Sequence, residues 1–486
     1  MTRRPTLLRL AGIAAVVSLS AACSSSSGGP VATDGVQTES TVAATTTAET
    51  TAPPTTEAPT TTEAPTTSAA PAPASFLGRG PFAVGVKTLS LGDRFSEVYY
   101  PVDPDTVAGQ PTEIFDSLSA FPESLQALIP PELSGEADTG AVRDATPTTE
   151  GPFPIIVYSH GFGAFRQVAT AYTTQLASWG FVVASTDHLE RGIAAQATGQ
   201  LKNIPGQDVR DVEATIDALT TGEFASLVDP DHIGITGHSA GAGTSARAAL
   251  ELDSIDAFVS ISGAAPIVVT GDDIGTTSAR LVGTANAHEL TIVAASATEA
   301  TISVDGGDSQ TVASESLSAT TIAFTVTTPD GTITLSLPTD AALAPGTVTV
   351  ERAAAAKPAL VVYAELDEVV VPEASTALFD ALEAPRWMVG IEAAGHNSFT
   401  DSCAGIRELG GLQSLVELLG EAQVARTEDG CTADNADPAL VIDLLGHYSV
   451  AFFRTAFGIE DDTAALAADI TEQLDGLELI VLEADA

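Results

Sequence analysis

The chain has 486 residues, and its 64 Asp and Glu against 19 Lys and Arg give a formal net charge of −45. This acidic excess argues against binding nucleic acid or anionic lipid headgroups through a basic face, and we therefore expect no nucleic-acid partner. The charge favours solubility outside the cell and does not bear on catalysis.

Residues 1–23 have the pattern of an export signal. Arg3 and Arg4 precede an apolar run that ends at Ala22 and Cys23 and is too short and wrongly flanked to span a membrane. Its end resembles the processing site of bacterial lipoproteins, so we predict that Cys23 carries a lipid; an ordinary signal peptide is the alternative. We expect an exported protein at the outer face of the cell membrane or at the cell surface, with this anchor as its only attachment to the membrane.

Residues 24–75 are rich in Thr, Ala, Pro and Ser and contain no Lys, Arg or aromatic residue. Such a segment cannot bury enough apolar surface to offset the entropy lost on ordering. We predict a disordered, extended stalk that holds a folded domain away from the membrane.

From residue 154 onward, short β-branched runs alternate with segments of helical periodicity. We predict strands at 154–161, 181–188, 232–239, 256–264, 359–366 and 386–396, with helices at 168–180, 208–221, 240–252, 373–383 and 439–458. Two earlier runs, 82–91 and 96–102, are expected to add antiparallel strands. This alternation indicates an α/β fold with a mostly parallel central sheet and helices on both faces.

The stretch 265–356 differs from its surroundings. It contains few helical runs, and its alternating Thr, Val and Ile residues are separated by turn sequences such as GGD and PDG. We predict a small β-rich insertion before the strand at 359–366; a disordered loop of low complexity is the alternative.

The cysteine count indicates one disulfide. If Cys23 carries lipid, Cys403 and Cys431 remain as a pair in an oxidising compartment, with two free thiols as the alternative. The predicted organisation is a signal (1–23), a stalk (24–75), a hydrolase-type α/β domain in two parts (76–264 and 357–460), a β-rich insertion (265–356) and an acidic C-terminal tail (461–486).

The candidate nucleophile is Ser239. It is the centre of GHSAG at residues 237–241, a match to G-x-S-x-G that follows a predicted strand and opens a predicted helix. A serine in a glycine-rich loop is the alternative, but it does not explain this setting.

A serine hydroxyl needs a base, and in this arrangement the chain order is serine, acid, histidine. His396 ends a predicted strand in the loop GHNSFTD, whereas His447 lies within a predicted helix, so we select His396. For the acid we select Asp367, which begins the loop after a strand; Glu365 and Glu368 are the alternatives. Asp367 would hold the tautomer of the imidazole.

Backbone N–H groups would stabilise the oxyanion. Ala240, after the nucleophile, supplies one by position, and Phe162 in the loop SHGFGAFR supplies the other. The alternative for that loop is a simple glycine-rich connection. The histidines are scattered and neither H-E-x-x-H nor C-x-x-C occurs, so we expect no metal and no cofactor.

Several segments resemble platelet-activating-factor acetylhydrolases and the related dienelactone-hydrolase-like and polyester-hydrolase-like esterases. They are residues 158–188, GHSAG, LDEVVVP and GHNSFTD, which occur here in the same order over roughly 80–264 and 357–460. The resemblance implies an α/β-hydrolase fold, a serine mechanism without metal, and carboxylic esters, often with short acyl groups, as substrates. True dienelactone hydrolases use cysteine where this chain has Ser239, and polyester hydrolases have an aromatic oxyanion pattern where this chain reads HGF.

The sequence therefore predicts an extracytoplasmic, lipid-anchored serine carboxylesterase acting on short-chain acyl or lipid-type esters through Ser239, His396 and Asp367. The alternatives are a polyester or cutinase-like hydrolase and, in a different class, a non-catalytic surface-binding lipoprotein that uses the insertion. Neither the physiological ester nor the oligomeric state follows from the sequence.

Overall fold

The computed structural model describes residues 74–127, 135–276, 278–283, 287–317, 321–413, 416 and 420–485. The signal, Cys23 and the stalk up to residue 73 lie outside the described residues. Within the described ranges, no helix has the length and apolar character needed to cross a bilayer.

The strands, in chain order, are β1 (Ala83–Ser90), β2 (Phe95–Val102), β3 (Ile114–Asp116), β4 (Glu136–Asp138), β5 (Val142–Arg143), β6 (Phe153–Ser159), β7 (Val182–Thr186), β8 (Val228–His238), β9 (Ala257–Ile261), β10 (Ile267–Gly271), β11 (Ser278–Gly283), β12 (Ala287–Ala295), β13 (Glu299–Val304), β14 (Gln310–Ser316), β15 (Thr321–Thr328), β16 (Gly331–Pro338), β17 (Gly346–Arg352), β18 (Ala359–Ala364), β19 (Arg386–Ile391) and β20 (Leu479–Asp485).

The α-helices are α1 (Pro104–Val107), α2 (Glu123–Gln126), α3 (Thr170–Ser178), α4 (Ile193–Thr198), α5 (Gln207–Thr221), α6 (Ala240–Glu251), α7 (Pro372–Ala381), α8 (Ser402–Glu408), α9 (Glu421–Glu428), α10 (Pro438–Ala456) and α11 (Thr463–Leu466). Short 3₁₀ turns occur at Ser117–Ala120, His396–Phe399 and Thr471–Gln473.

Ten strands form the central sheet, in the order β20-β19-β18-β9-β8-β6-β7-β2-β1-β5. The six strands from β19 to β7 run parallel to one another, whereas β2 pairs antiparallel with β7 and β1 pairs antiparallel with β2. The carboxyl ends of the parallel strands therefore meet at one edge, where α/β proteins place their functional groups. The predicted α/β-hydrolase fold is confirmed.

The central strands are continuous apolar runs because both faces of the sheet are covered. All seven residues of β6 are buried. Ile156 and Tyr158 point into the core that includes residues of α3 and α10. Ile155 and Val157 point into the opposite core, which includes residues of α5, α6 and α7. Because successive side chains of a strand point to opposite faces of the sheet, one strand contributes to both cores. Each buried Val or Ile stabilises the fold by about 1.5–3 kcal/mol.

The predicted all-β insertion is present. Strands β10 to β17 form a second, eight-stranded sheet with the order β10-β17-β12-β13-β14-β15-β16-β11 and antiparallel neighbours. It has its own core, in which Leu290, Ile302, Phe324 and Ile333 are fully buried. The insertion connects β9 to β18, two adjacent parallel strands that are more commonly joined by a crossover helix.

Residues 461–486, set apart above as an acidic tail, belong to the hydrolase unit as far as Asp485. Strand β20 pairs antiparallel with β19 and forms one edge of the central sheet. Before it, Leu466, Ile470 and Leu474 are buried in the main core. The many acidic residues conceal this apolar spacing in the sequence, because they occupy the exposed positions between the buried ones.

Candidate active site

Ser239 lies at the sharp turn between β8, which ends at His238, and α6, which begins at Ala240. Its backbone has φ 59° and ψ −120°, a conformation that side-chain-bearing residues rarely adopt. The turn is held by the N–H of Ser239, which donates to the carbonyl of Ile261 at 2.9 Å. A strained turn of this kind exposes the hydroxyl at the carboxyl edge of the sheet.

Gly237 and Gly241, on either side of Ser239, have to be glycines because backbone carbonyl groups lie where a Cβ atom would be. A Cβ at Gly237 would lie 2.4 Å from the carbonyl oxygen of Gly241. A Cβ at Gly241 would lie 1.9 Å from the carbonyl oxygen of Ser159 at the end of β6. Any larger residue would force the turn away from β6, which explains both glycines of GHSAG.

The structure brings Ser239, His396 and Asp367 together. The Ser239 hydroxyl donates to Nε2 of His396 at 2.9 Å, and the Nδ1–H of His396 donates to Oδ2 of Asp367 at 2.8 Å. The other carboxylate oxygen of Asp367 accepts from the N–H groups of Val369 and Val370, at 2.9 and 2.7 Å. The acid is thereby fixed in position from two sides.

The residues considered as alternatives for the acid and the base, Glu365, Glu368 and His447, make hydrogen bonds elsewhere. The carboxylate of Glu365 accepts from the N–H of Ala393 at 3.0 Å. The backbone N–H of Glu368 donates to Asp429. His447 is fully buried on α10, where its Nδ1 accepts from the N–H of Phe76 at 3.0 Å. In the described parts of the chain, none of these three side chains is hydrogen bonded to the Ser239–His396 pair.

The electrostatics of the site favour an ionised acid beside the imidazole. Burial by itself would raise the pKa of Asp367, but the hydrogen bond and the charge interaction with His396, and then the hydrogen bond from the N–H of Val370, outweigh it and lower the pKa. Asp367 therefore remains a carboxylate at neutral pH and can stabilise an imidazolium on His396.

A second histidine packs against His396 without competing for its proton. The ring of His238 lies 4.6 Å from that of His396, centroid to centroid, and its Nε2–H donates to the carbonyl of His396 at 2.8 Å. Burial, and then the neighbouring His396, lowers the pKa of His238 to about 3. His238 is therefore neutral and acts as a fixed hydrogen-bond donor for the histidine loop.

Asp429 joins the acid loop to the histidine loop, and the sequence had given no reason to select it. One carboxylate oxygen accepts from the N–H of His396 at 3.0 Å, and the other accepts from the N–H of Glu368 at 2.9 Å. Asp429 lies two residues before Cys431, which forms the predicted disulfide with Cys403. The disulfide thus anchors the segment that holds both loops.

The predicted oxyanion loop lies directly against Ser239. A Cβ at Gly161 would be 3.3 Å from the Cβ of Ser239, so the loop leaves β6 beside the nucleophile. Among the described residues, no hydrogen bond uses the backbone N–H of Phe162 or that of Ala240. Both N–H groups are therefore left without an acceptor among the described residues, as donors to an oxyanion would have to be.

A second Ser–His–Asp chain lies beneath this loop. The hydroxyl of Ser159 donates to Nε2 of His188 at 2.8 Å, and Nδ1–H of His188 donates to Oδ2 of Asp211 at 3.0 Å. All three side chains are buried, so no substrate reaches this serine. The polar residues at the ends of β6 and β7, in SHG and TDH, are the sequence signal for this buried network.

In the part of the chain that the structure describes, no group of three or more His, Cys, Asp or Glu side chains could hold a metal ion. The arrangement at Ser239 can deliver a nucleophile, a base and two oxyanion donors from this chain's own residues.

The fold, the elbow and the Ser–His–Asp geometry define the class as a serine-type α/β hydrolase. The chain belongs to the family described as serine aminopeptidase, S33, whose family model matches residues 150–402. A second family model, described as platelet-activating factor acetylhydrolase, isoform II, matches residues 74–220.

Individual relatives agree with the resemblance found in the sequence. A platelet-activating factor acetylhydrolase of Cavia porcellus is 33% identical over 132 residues, covering 24% of this chain and 29% of the relative. One of Gallus gallus is 32% identical over 130 residues, 24% of this chain and 31% of the relative. The uncharacterized protein YcjY of Escherichia coli (strain K12) is 39% identical over 111 residues, 23% of this chain and 35% of that protein. The chain thus spans about three tenths of the length of the acetylhydrolases that it matches.

Proposed function

We propose that this protein is a serine carboxylesterase that acts on short-chain acyl or lipid-type esters through an acyl-enzyme. The observation that carries the proposal is the continuous relay from Ser239 through His396 to Asp367, with hydrogen bonds of 2.9 and 2.8 Å. The similarity to acetylhydrolases, whose name describes hydrolysis of an acetyl group, supports an ester rather than a peptide substrate.

In the acylation step, the oxygen of Ser239 attacks the ester carbonyl carbon while Nε2 of His396 takes the hydroxyl proton. The carboxylate of Asp367 holds the proton on Nδ1 and stabilises the imidazolium that forms. The carbonyl oxygen becomes an oxyanion, which accepts hydrogen bonds from the N–H groups of Phe162 and Ala240. Collapse of this tetrahedral species expels the alcohol, which takes its proton from Nε2 of His396.

Deacylation repeats the sequence with water. His396 takes a proton from a water molecule, the resulting hydroxide attacks the acyl carbonyl, and the same two N–H groups stabilise the second oxyanion. Ser239 leaves as the alcohol of the acyl-enzyme and recovers its proton from His396. Besides the ester and this one water molecule, the steps as written use only residues of the chain.

The preference for a short acyl group is supported by the similarity to acetylhydrolases. A cavity of about 130 Å³ borders the oxyanion loop and is lined by His160, Phe165, Arg166 and Asp187, among others. Because Ser239 is not among the lining residues, the proposal assigns no acyl group to this cavity.

The proposed location is the outer face of the cell membrane, with the protein anchored by a lipid on Cys23. The support is the export-signal pattern of residues 1–23 together with the Cys403–Cys431 disulfide, which suits an oxidising compartment. Detergent-phase partitioning of the full chain, compared with a Cys23→Ser variant, tests the anchor: partitioning that persists in the variant would contradict it.

The activity is tested with p-nitrophenyl acetate, octanoate and palmitate, and with a fluorophosphonate that reacts covalently with activated serines. We expect the acetate to be hydrolysed fastest and the probe to label Ser239. Ser239→Ala is the control, and it should abolish both hydrolysis and labelling. A folded wild-type protein that is neither labelled nor active on any of the three esters would refute the proposal.

A further inference from the structure

Arg191 is a largely buried cation that the mechanism above does not use. It lies in the segment that follows β7, and its side chain is 13% exposed. Its guanidinium lies between the end of β6 and helix α6, which are the two elements that supply the proposed oxyanion donors.

One arm of the guanidinium holds the loop that carries Phe162. The Nη2 group donates to the carbonyl of His160 at 2.8 Å and to the hydroxyl of Ser159 at 2.9 Å. On the other side of Phe162, the N–H of Gly163 donates to the carbonyl of Arg191 at 2.8 Å. Arg191 therefore contacts the backbone on both sides of Phe162, which fixes the direction of the Phe162 N–H.

The other arm reaches the helix that begins at Ala240. The Nη1 group donates to the hydroxyl of Thr244 at 2.9 Å and to the carboxylate of Asp208 at 3.2 Å. The Thr244 hydroxyl lies one helical turn after Ala240 and is 3.2 Å from its carbonyl oxygen. A planar guanidinium with several donors can hold two such elements at a fixed spacing, which a single ammonium group cannot.

The charge of Arg191 is only partly compensated. Its carboxylate partner, Asp208, is shared with Arg247. The Nε–H of Arg191 has no acceptor among the described residues. Burial is the main cause that lowers the pKa of Arg191 to about 10, so the group is still charged at neutral pH. A positive charge in a site of low dielectric favours the negative charge that develops on the substrate oxygen.

We propose that Arg191 is a positioning residue for acyl transfer, which sets the spacing of the Phe162 and Ala240 N–H groups and adds a buried positive charge beside the oxyanion. This inference rests on the proposed esterase function. Arg191 acts through the loop and the helix and does not touch the substrate.

The test compares Arg191→Met with Arg247→Met. Arg247 carries the same charge and binds the same carboxylate of Asp208, but it makes no hydrogen bond to the oxyanion loop within the described ranges. For each variant we would measure kcat and KM for p-nitrophenyl acetate, the second-order rate constant for phosphonylation of Ser239 by a fluorophosphonate, and Tm.

Because loss of a single oxyanion donor lowers kcat by about 10²–10³, displacement of one should lower kcat in Arg191→Met by roughly 10–100-fold while KM changes little. Phosphonylation should slow by a similar factor, since the P–O⁻ group of that reaction uses the same donors. Arg247→Met should retain kcat within about threefold on the same reasoning. Equal losses in the two variants, or an Arg191→Met protein with wild-type kcat and labelling rate, would overturn the proposal.

A second variant and a second readout test the proposal if Arg191→Met does not fold or if the ester assay shows no activity. If Arg191→Met does not fold, Thr244→Val removes the contact of Arg191 with α6, together with the hydrogen bond from the Thr244 hydroxyl to Asp208. An unchanged kcat in that variant would also overturn the inference. If the wild-type protein hydrolyses none of the esters but is phosphonylated at Ser239, the labelling rates alone decide. A wild-type protein without either reaction refutes the esterase proposal itself, which separates the two failures.

Discussion

The substitution Asp367→Asn changes the relay at one atom. The retained side-chain oxygen can still accept from the N–H groups of Val369 and Val370. The group that faces His396, however, becomes an NH₂ that donates instead of an oxygen that accepts. His396 then presents an unprotonated Nδ1 and carries its proton on Nε2, where it faces the Ser239 hydroxyl and cannot act as a base.

The expected loss is large because the wrong tautomer removes general-base catalysis altogether. Loss of this function in a Ser–His–Asp triad lowers kcat by about 10⁴-fold. That factor corresponds to about 5 kcal/mol in the activation free energy. KM should change far less, because Asp367 is 3% exposed and lies behind the imidazole rather than against the substrate.

The assay is steady-state hydrolysis of p-nitrophenyl acetate at pH 7–8, with Tm measured to exclude unfolding. Glu365→Gln and Glu368→Gln are the matched controls, since they remove one negative charge from the same loop without touching His396. Both controls should keep activity within about threefold, because exposed charges near a site interact weakly. An Asp367→Asn protein that keeps a tenth of the wild-type kcat, or a control that loses as much as Asp367→Asn does, would refute this reading of the relay.

Three further predictions concern the supports of the site. Replacing Cys403 and Cys431 by Ser opens a crosslink between residues 28 apart in sequence, which should lower the free energy of unfolding by about 3.5 kcal/mol in urea titrations; an unchanged midpoint contradicts this. Asp429→Ala releases the backbone of His396, so kcat for p-nitrophenyl acetate should fall about tenfold or more, and a wild-type kcat would show that the histidine loop holds itself. For His447, burial is the main cause that lowers its pKa to about 4, so the unfolded chain binds protons more readily than the folded one. The free energy of unfolding should then fall by up to roughly 3 kcal/mol between pH 6.5 and pH 4. The variant His447→Asn, which keeps an acceptor but does not titrate, should weaken this pH dependence in urea titrations at several pH values. An equal pH dependence in both proteins would contradict the role given to His447.

The sequence could predict the elements whose residue pattern lies within one strand, one helix or one short motif. Buried β-branched runs at 154–161 and 359–366 specified central strands, and the carboxyl ends of parallel strands must share one edge of the sheet. Chain order then selected Ser239, Asp367 and His396, which the structure brings within hydrogen-bonding distance of one another.

The parts that could not be predicted depend on contacts between distant segments. Asp429 follows His396 by 33 residues and meets it through a backbone N–H, which leaves no pattern of residue types. Arg191 could not be predicted for the same reason, because its acceptors are a carbonyl, two hydroxyls and a carboxylate on separate elements. Strand β20 was missed for another reason: its apolar run is only four residues long and is flanked by acidic residues, which favour the interpretation as a solvated tail.

The β-rich insertion has one consequence for how this protein can vary. Its two ends meet, since the N–H of Ala353 donates to the carbonyl of Pro266 at 2.9 Å, and Ala265 and Ala355 pack into the core of the hydrolase sheet. The eight strands between these points pair only with one another and are buried around their own core. A short loop across the same two ends would therefore leave β9, β18 and Ser239 in place. The insertion is a module that can be lost, exchanged or enlarged between related proteins while the chemistry at the sheet edge stays the same.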